Sequence, residues 1–227
     1  MIADISRVIA QLSDPKLLRP VLMGLIASGL VLALLVAFCI WLLSGITVGS
    51  GSWFMDALDW VVQILGSFGA VILAFLLFPA FAITIQSLFL DSVTDAVEAK
   101  YYAHLPKGRD VPLVEGLLAS VKLTLLVIVI NLVLLPVYLI LLPIAGAGAA
   151  LYYAVNGYLV GREFFETVGL RRRKAKELRG IRRSNRFTVW VDGMLLVLVF
   201  TVPILNLAGP TLGTAFMVHR YHRLKNT

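Results

Sequence analysis

Apolar residues run along this chain in blocks rather than in alternation, and the polar residues between the blocks carry most of the information. Residues 21–43 hold no charge, and 23 residues at 1.5 Å each are enough to cross a hydrocarbon core about 30 Å thick. A second block, 61–90, grades into Asp91-Ser-Val-Thr-Asp95-Ala-Val-Glu98-Ala-Lys100, whose charges fall at helical spacing. This predicts one long helix, tilted or projecting past the membrane. Shorter blocks follow at 117–135 and 144–159, around Pro136 and Pro143, and at 189–202 and 205–218, around Pro203 to Pro210. Runs of about 14 residues do not cross a bilayer untilted. Each short pair turns at a charge-free, Pro/Gly-rich corner and carries basic residues at both ends. That is the pattern of a re-entrant hairpin, whose irregular backbone is tolerated where protein or a cavity surrounds it. For the last pair re-entry is the preferred reading; for the middle pair full crossing fits equally well.

Ahead of the first block, Ile2, Ile5, Val8, Ile9 and Leu12 share one helical face, opposite Asp4, Ser6, Arg7 and Gln11. This predicts a short interfacial amphipathic helix. Asp14-Pro15 then restarts the chain as an N-cap followed by proline at the first helical position. The first apolar block is too long for the core of a signal peptide and is expected to stay as a span.

The expected fold class is an all-α integral membrane protein: two long transmembrane helices, two Pro-cornered re-entrant hairpins and amphipathic interfacial helices. Its divisions are an amphipathic start over 1–19, a first span over 20–44, a long second span over 57–104, a first hairpin over 113–161, a basic segment over 162–186 and a second hairpin over 187–219. Composition agrees: 59% of the 227 residues are hydrophobic and 15% are charged, with a mean hydropathy of +0.91. The net charge of +7 is unevenly placed. No Lys or Arg lies between Arg19 and Lys100, whereas ten of the twenty lie from Arg162 to Arg186. Basic residues mark the cytoplasmic side and face anionic lipid, so both termini and 162–186 are expected inside and the Gly45–Asp59 stretch outside. No nucleic-acid-binding motif accompanies the charge.

Enzyme signatures are missing from the sequence. His104, His219 and His222 form no metal-spaced set with acidic partners, no phosphate loop precedes a lysine, and the serines near Gly45–Gly51 have no base beside them. No cofactor, metal or catalytic residue is expected, and Cys39 reads as a buried small hydrophobe. The polar residues at apolar positions are Gln63, Gln86, Lys122, Asn131, Asn156, Asp192 and Asn206. They are costly in lipid and serve either as interhelical glue or as a transport path. Asn206, at a Pro-flanked tip, is the strongest path candidate. The other site is the restarted helix, where free N–H groups, the helix dipole, Lys16 and Arg19 together suit an oxyanion. Snorkelling membrane anchors account for the same two cations equally well.

Three stretches resemble the CysZ sulfate permease family, the etoposide-induced-protein-like membrane domain. Val202-Pro203-Ile-Leu-Asn206-Leu-Ala-Gly-Pro210 is similar to its P-x-L-N-L-x-x-x-P hairpin. The stretch from Phe78-Pro79-Ala-Phe to Asp95-Ala-Val-Glu98-Ala-Lys100 is similar to its A-P-F…E-x-x-E-A-R segment. Leu12-Ser-Asp-Pro15-Lys-Leu-Leu-Arg19 resembles its L-x-x-P-G-I-R-R turn. Lys16 stands for the glycine and Leu18 for the first arginine. At Tyr158-Leu-Val-Gly161-Arg162-Glu163 the chain departs from Y-x-D-Y-P, which marks a divergent branch. The resemblance implies sulfate or related oxyanion uptake across a bacterial inner membrane for cysteine synthesis, by dimers or dimer-based homo-oligomers in contact with lipid. It puts anion binding on Lys16, Leu17, Leu18 and Arg19, and pore or gate roles on Glu98, Lys100 and Asn206, with Glu98 and Lys100 as a charged gate or structural pair. A non-transporting scaffold, with 162–186 holding anionic lipid, is the alternative.

Overall fold

The computed structural model describes residues 2–11, 13–45, 52–109, 111–141, 143–144 and 146–224. Among these there are ten helices and no strand: α1 (Ile2–Gln11), α2 (Pro15–Ser44), α3 (Trp53–Ser87), α4 (Leu90–Tyr101), α5 (Leu113–Leu141), α6 (Ala147–Leu170), α7 (Ala175–Ser184), α8 (Arg186–Phe200), α9 (Pro203–Leu207) and α10 (Gly209–Leu224). The protein is an all-α membrane protein. Three helices, Pro15–Ser44, Trp53–Ser87 and Val121–Leu141, are long and apolar enough to cross a bilayer. Their large side chains face outward, Leu34 at 71% and Phe75 at 78% exposed, as lipid-facing residues do.

α2 begins as its sequence dictates. The Asp14 carboxylate caps it by accepting from the Lys16 N–H at 3.0 Å, and Pro15 takes the first helical position. α3 is capped by Ser52, which accepts from the Met55 N–H at 3.3 Å. The two form an antiparallel pair, with Gly24 against Ala82 and Gln86 at one end and Gly66 against Leu43 towards the other. Asp56 and Asp59 fall within the opening turns of α3 rather than in a connecting loop. Gly49 and Gly51, also expected in that loop, lie outside the described residues.

The single long helix expected over 57–104 is two helices. α3 ends at Ser87, the chain turns at Leu88–Phe89, and α4 begins at Leu90. The break lets the α4 residues Val93, Ala96 and Val97 bury against α10 instead of pointing into lipid. A second difference is α5, which runs through Pro136 to Leu141. The corner of that pair comes later, past Leu141 at Pro143–Ile144, and Gly146 opens α6 with φ +82°, a conformation glycine adopts at little cost.

α6 and α8 cross closely and antiparallel on glycine. A Cβ on Gly193 would lie 1.9 Å from the Gly157 carbonyl oxygen, and one on Gly161 would lie 2.2 Å from that of Val189. Small residues here let two backbones touch. This register, continued ten residues from Gly157 and Gly193, brings the start of α6 level with α9, so both hairpins turn at a common level. The α9 tip meets the α2–α3 pair near its inner end, where the Gln86 amide donates to the Leu207 carbonyl and the Thr211 hydroxyl lies 3.4 Å from Gln86 Oε1. Gly24 packs on the same Gln86, and α2 continues for about 30 Å beyond it. The second hairpin therefore stops short of the far end of the pair.

α1, α4, α7 and the inner ends of α6 and α10 form a head outside the spans, around a core that includes Val97, Phe165, Val168, Met217, Val218 and Tyr221. α1 is helical as expected, but it buries another face. Asp4, Val8 and Gln11 point inward, while Ile9 is 61% exposed. Ion pairs made by Asp4 fix that orientation, and Leu12 lies outside the described residues.

Two measurements check this architecture. Gly193→Ala should lose about 3 kcal/mol, the upper end for overpacking, because backbone stands in the way. Gly180→Ala on α7, with open space around it, should be neutral or slightly stabilising. Thermal melts of both in detergent should separate them clearly, and equal melting temperatures would contradict the close crossing. In a Cys39→Ala background, Asn206→Cys should react slowly with bulky impermeant thiol reagents from either side. Fast labelling from outside would instead establish two full spans.

Candidate functional site

Asp91, Asp95 and Glu98 recur at i, i+4 and i+7 on α4, so one face of that helix carries three carboxylates. The turn that ends α6 presents Arg171 and Arg172 to this face. Arg171 Nη1 lies 2.9 Å from Asp91 Oδ1, and its Nη2 pairs with Asp95. Arg172 forms a two-point pair with Glu98, with Nε to Oε1 at 2.9 Å and Nη2 to Oε2, and also donates to the Pro106 carbonyl. The strap holding Arg109 locks the turn in place: its N–H donates to Arg171 O at 2.9 Å and its Nε to Leu170 O at 2.8 Å.

α10 supplies the other half. His222 Nε2 lies 2.7 Å from Glu98 Oε1, so one buried carboxylate joins an arginine and a histidine. Tyr102 stacks on His222 with ring centroids 4.3 Å apart, and its hydroxyl lies 3.0 Å from His219 Nδ1. Further along, Arg220 Nε binds Asp192 at 2.8 Å and its Nη1 reaches Asp4 at 3.3 Å. Arg223 closes on the other Asp4 oxygen at 2.6 Å. Acids from α1, α4 and α8 thus converge on one helix. Beside the Glu98 group opens a cleft of about 370 Å³, lined by Asp95, Glu98, Tyr102, Lys107 and Arg172.

The electrostatics follow from burial. For Glu98, burial pushes the carboxyl up, but hydrogen bonds from His222 and Arg172 with their charges outweigh it, and the group sits below its ordinary range. For His219, burial together with the nearby Arg7 charge pushes the imidazole down to about 4, so it is neutral at physiological pH. Because Arg172 is already engaged on both edges, an anion entering the cleft competes with Glu98 for it. Among the described residues, no group of three or more His, Cys, Asp or Glu is placed to hold a metal ion.

The residues expected at the anion turn are placed differently from one another. Lys16 and Arg19 are exposed, one helical turn apart at the start of α2, with no ion pair to either among the described residues. Leu17 is buried in the core and Leu18 is exposed. The first-turn N–H groups of Lys16, Leu17 and Leu18 are taken, by the Asp14 carboxylate in the first case and by the Asp14 carbonyl at 2.9 and 3.0 Å in the others. The free backbone donors expected there are therefore absent, and only the two side chains can meet an anion.

Glu98 and Lys100 do not pair. Glu98 turns inward to Arg172 and His222, whereas the exposed Lys100 ammonium rests 5.7 Å from the Tyr101 ring. The reason is helical: two positions apart on α4, they occupy different faces. Asn206 is half-buried at the hairpin tip beside Gly209. Of the other polar residues, Asn131 and Asn156 donate back to their own helices, Gln86 ties α3 to the tip, and Asp192 holds Arg220. Sequence reasoning gave no role to Arg172 within the basic segment or to Arg220 at the basic flank of the last hairpin, and it weighed His219 and His222 only as metal ligands. The available signal was the Arg220-Tyr221-His222 run at the end of a small-residue, apolar stretch.

A multi-pass α-helical membrane protein with a charged, buried head is the class these features define. The chain belongs to the family described as sulfate transporter CysZ/etoposide-induced protein 2.4, whose family model matches residues 4–210. That span includes the Asp14–Arg19 turn, α4 and the hairpin tip, and it ends before the His219–Arg223 cluster. Neither a curated protein nor a solved structure matches the chain.

The titration of this site has a definite sign. An unfolded histidine takes up its proton near pH 6.5, and folded His219 only at about 4. Its contribution to stability is therefore complete above about 6.5 and is lost as the pH falls towards 4. Glu98, with its lowered folded value, adds a second loss below the ordinary glutamate range. Melting in detergent from pH 7 to 4 should show a steady fall that His219→Gln flattens in its upper part. Glu98→Gln should cost roughly 3–5 kcal/mol at pH 7 by stranding the buried Arg172. A flat wild-type profile would contradict the buried neutral imidazole.

Proposed function

We propose that this protein carries sulfate or a closely related oxyanion across a bacterial inner membrane into the cytoplasm, where it supplies cysteine synthesis. Family membership supports transport, and sulfate is named in the description of the family. The observation that carries the anion assignment is the pair of exposed cations Lys16 and Arg19, one turn apart with no ion pair among the described residues. In this reading Arg19 supplies the planar fork that fits a tetrahedral oxyanion, and Lys16 adds a point charge. Asn206 lines the path at the hairpin tip. Glu98 does not bind sulfate, since like charges repel; its group with Arg172 and His222 holds the cytoplasmic end together. Dimers or dimer-based homo-oligomers complete the path.

Radiolabelled sulfate flux into liposomes holding the purified protein alone tests the activity. A non-transporting scaffold would give no flux above empty liposomes. For the site, Arg19→Ala should remove a charge-assisted contact of roughly 1.5–3 kcal/mol, about 10- to 150-fold in affinity by calorimetry. Arg19→Lys should recover part of this and Lys16→Ala should lose less. Asp14→Asn, which keeps the cap and removes a neighbouring negative charge, should tighten binding slightly. Unchanged affinity in a folded Arg19→Ala protein would end the assignment, and neutrality of Arg19→Lys in every assay would leave only a membrane anchor.

A further inference from the structure

A second cationic feature lies where α5, α6 and α7 meet. A cleft of about 230 Å³ opens there, and Lys122, Arg162 and Arg179 line it together with one carboxylate among the described residues, Glu166. That carboxylate is already neutralised twice, by Arg162 Nε at 2.8 Å and by Arg182 Nε at 3.5 Å. Arg179 uses its Nε on the Ala175 carbonyl of its own helix at 3.2 Å, and Lys122 has no ion-pair partner among the described residues. The floor is apolar, built from Leu170 and Leu178. A small hydrated anion gains nothing from such a floor, whereas an amphiphile covers it.

Position adds to this. Lys122 stands at the second residue of the apolar stretch Val121–Leu141, so a cation borders the apolar surface of α5. Beyond it, α5 turns Leu125, Val129 and Leu132 outward, each more than half exposed, in line along the helix from the cleft. A chain leaving the cleft would lie along these residues.

We infer that this cleft is a binding site for one anionic phospholipid, its phosphodiester held by Lys122 and Arg179 and an acyl chain running along α5. The unspent charge of Lys122 and Arg179 selects a headgroup of net negative charge, and Arg162, held on Glu166, closes the inner wall. The site is separate from the Lys16–Arg19 pair and does not depend on which anion the protein carries.

Native mass spectrometry of the full-length protein, delipidated and then offered equimolar phosphatidylglycerol and phosphatidylcholine, tests the inference. Phosphatidylglycerol should be retained selectively, and Lys122→Gln with Arg179→Gln should weaken its retention at least about tenfold, the effect of one charge-assisted contact. Arg183→Gln, an exposed cation outside the cleft, should change nothing. Should the double variant fail to fold, a photoreactive benzoylphenylalanine in place of Leu118 on the rim decides the matter in the otherwise native chain, by crosslinking to phosphatidylglycerol. Equal retention of both lipids, unaltered retention by the folded double variant, or no crosslink from position 118 would overturn the inference. So would displacement of the lipid by millimolar sulfate or phosphate, which would mark a site for free anions.

Discussion

Arg220 and His222 are buried on a helix that is buried almost along its whole length, with the exposed Arg223 beside them, and a buried cation such as Arg220 persists in an interior only when it is met by a carboxylate. The partners come from three elements remote in sequence: Asp4 of α1, Glu98 of α4 and Asp192 of α8. This requirement orders the head. It turns α1 so that an aspartate faces inward and an isoleucine outward. It makes the chain break after Ser87 so that α4 can bring Glu98 alongside α10. Through Glu98 and Arg172 it also fixes the turn that ends α6, and with it the approach of α7. The apolar core around Val97, Phe165 and Met217 supplies bulk, while the charge pairs choose among the ways of packing it.

Elements that meet lipid or water locally were legible in the sequence. Charge-free blocks marked the spans, Asp14-Pro15 marked the start of α2, and Pro203 to Pro210 marked a tip, because each depends on neighbouring residues alone. What escaped reading depends on distant partners. An apolar-face argument assigns Asp4 and Gln11 to the polar side of an interfacial α1, since hydropathy cannot register that Asp4 has two arginines waiting more than two hundred residues away. The helical spacing of Asp91, Asp95 and Glu98 was visible, but it belonged equally to a straight extension of α3 and to a separate α4. The corner of the middle pair was read around Pro136 and Pro143; α5 runs on through the first of these to Leu141, so only the second belongs to the turn.

The candidate anion turn shows the same divide. Asp14 was recognised as a cap, and a helix start was taken as a place for anions. The two statements compete, since a cap that takes the Lys16 N–H and a carbonyl that takes the next two leave no amide for a ligand. Specificity at that turn must come from side chains. Lys16 together with a single arginine then makes a looser recognition element than a pair of arginine forks.

The ties between Asp4 and the arginines of α10 join the first described helix to the last, 216 and 219 residues apart. During synthesis Asp4, Glu98 and Asp192 all leave the ribosome before the cations that will neutralise them. At roughly 5–20 residues per second, Asp4 waits tens of seconds for its partners, even though the spans can insert as they emerge. Maturation of the head is therefore a late closing step, with α10 as its keystone. A nascent chain that stalls before α10 holds Asp192 without its arginine and Asp4 without the two arginines of α10, and offers quality-control proteases a clear mark of incompleteness.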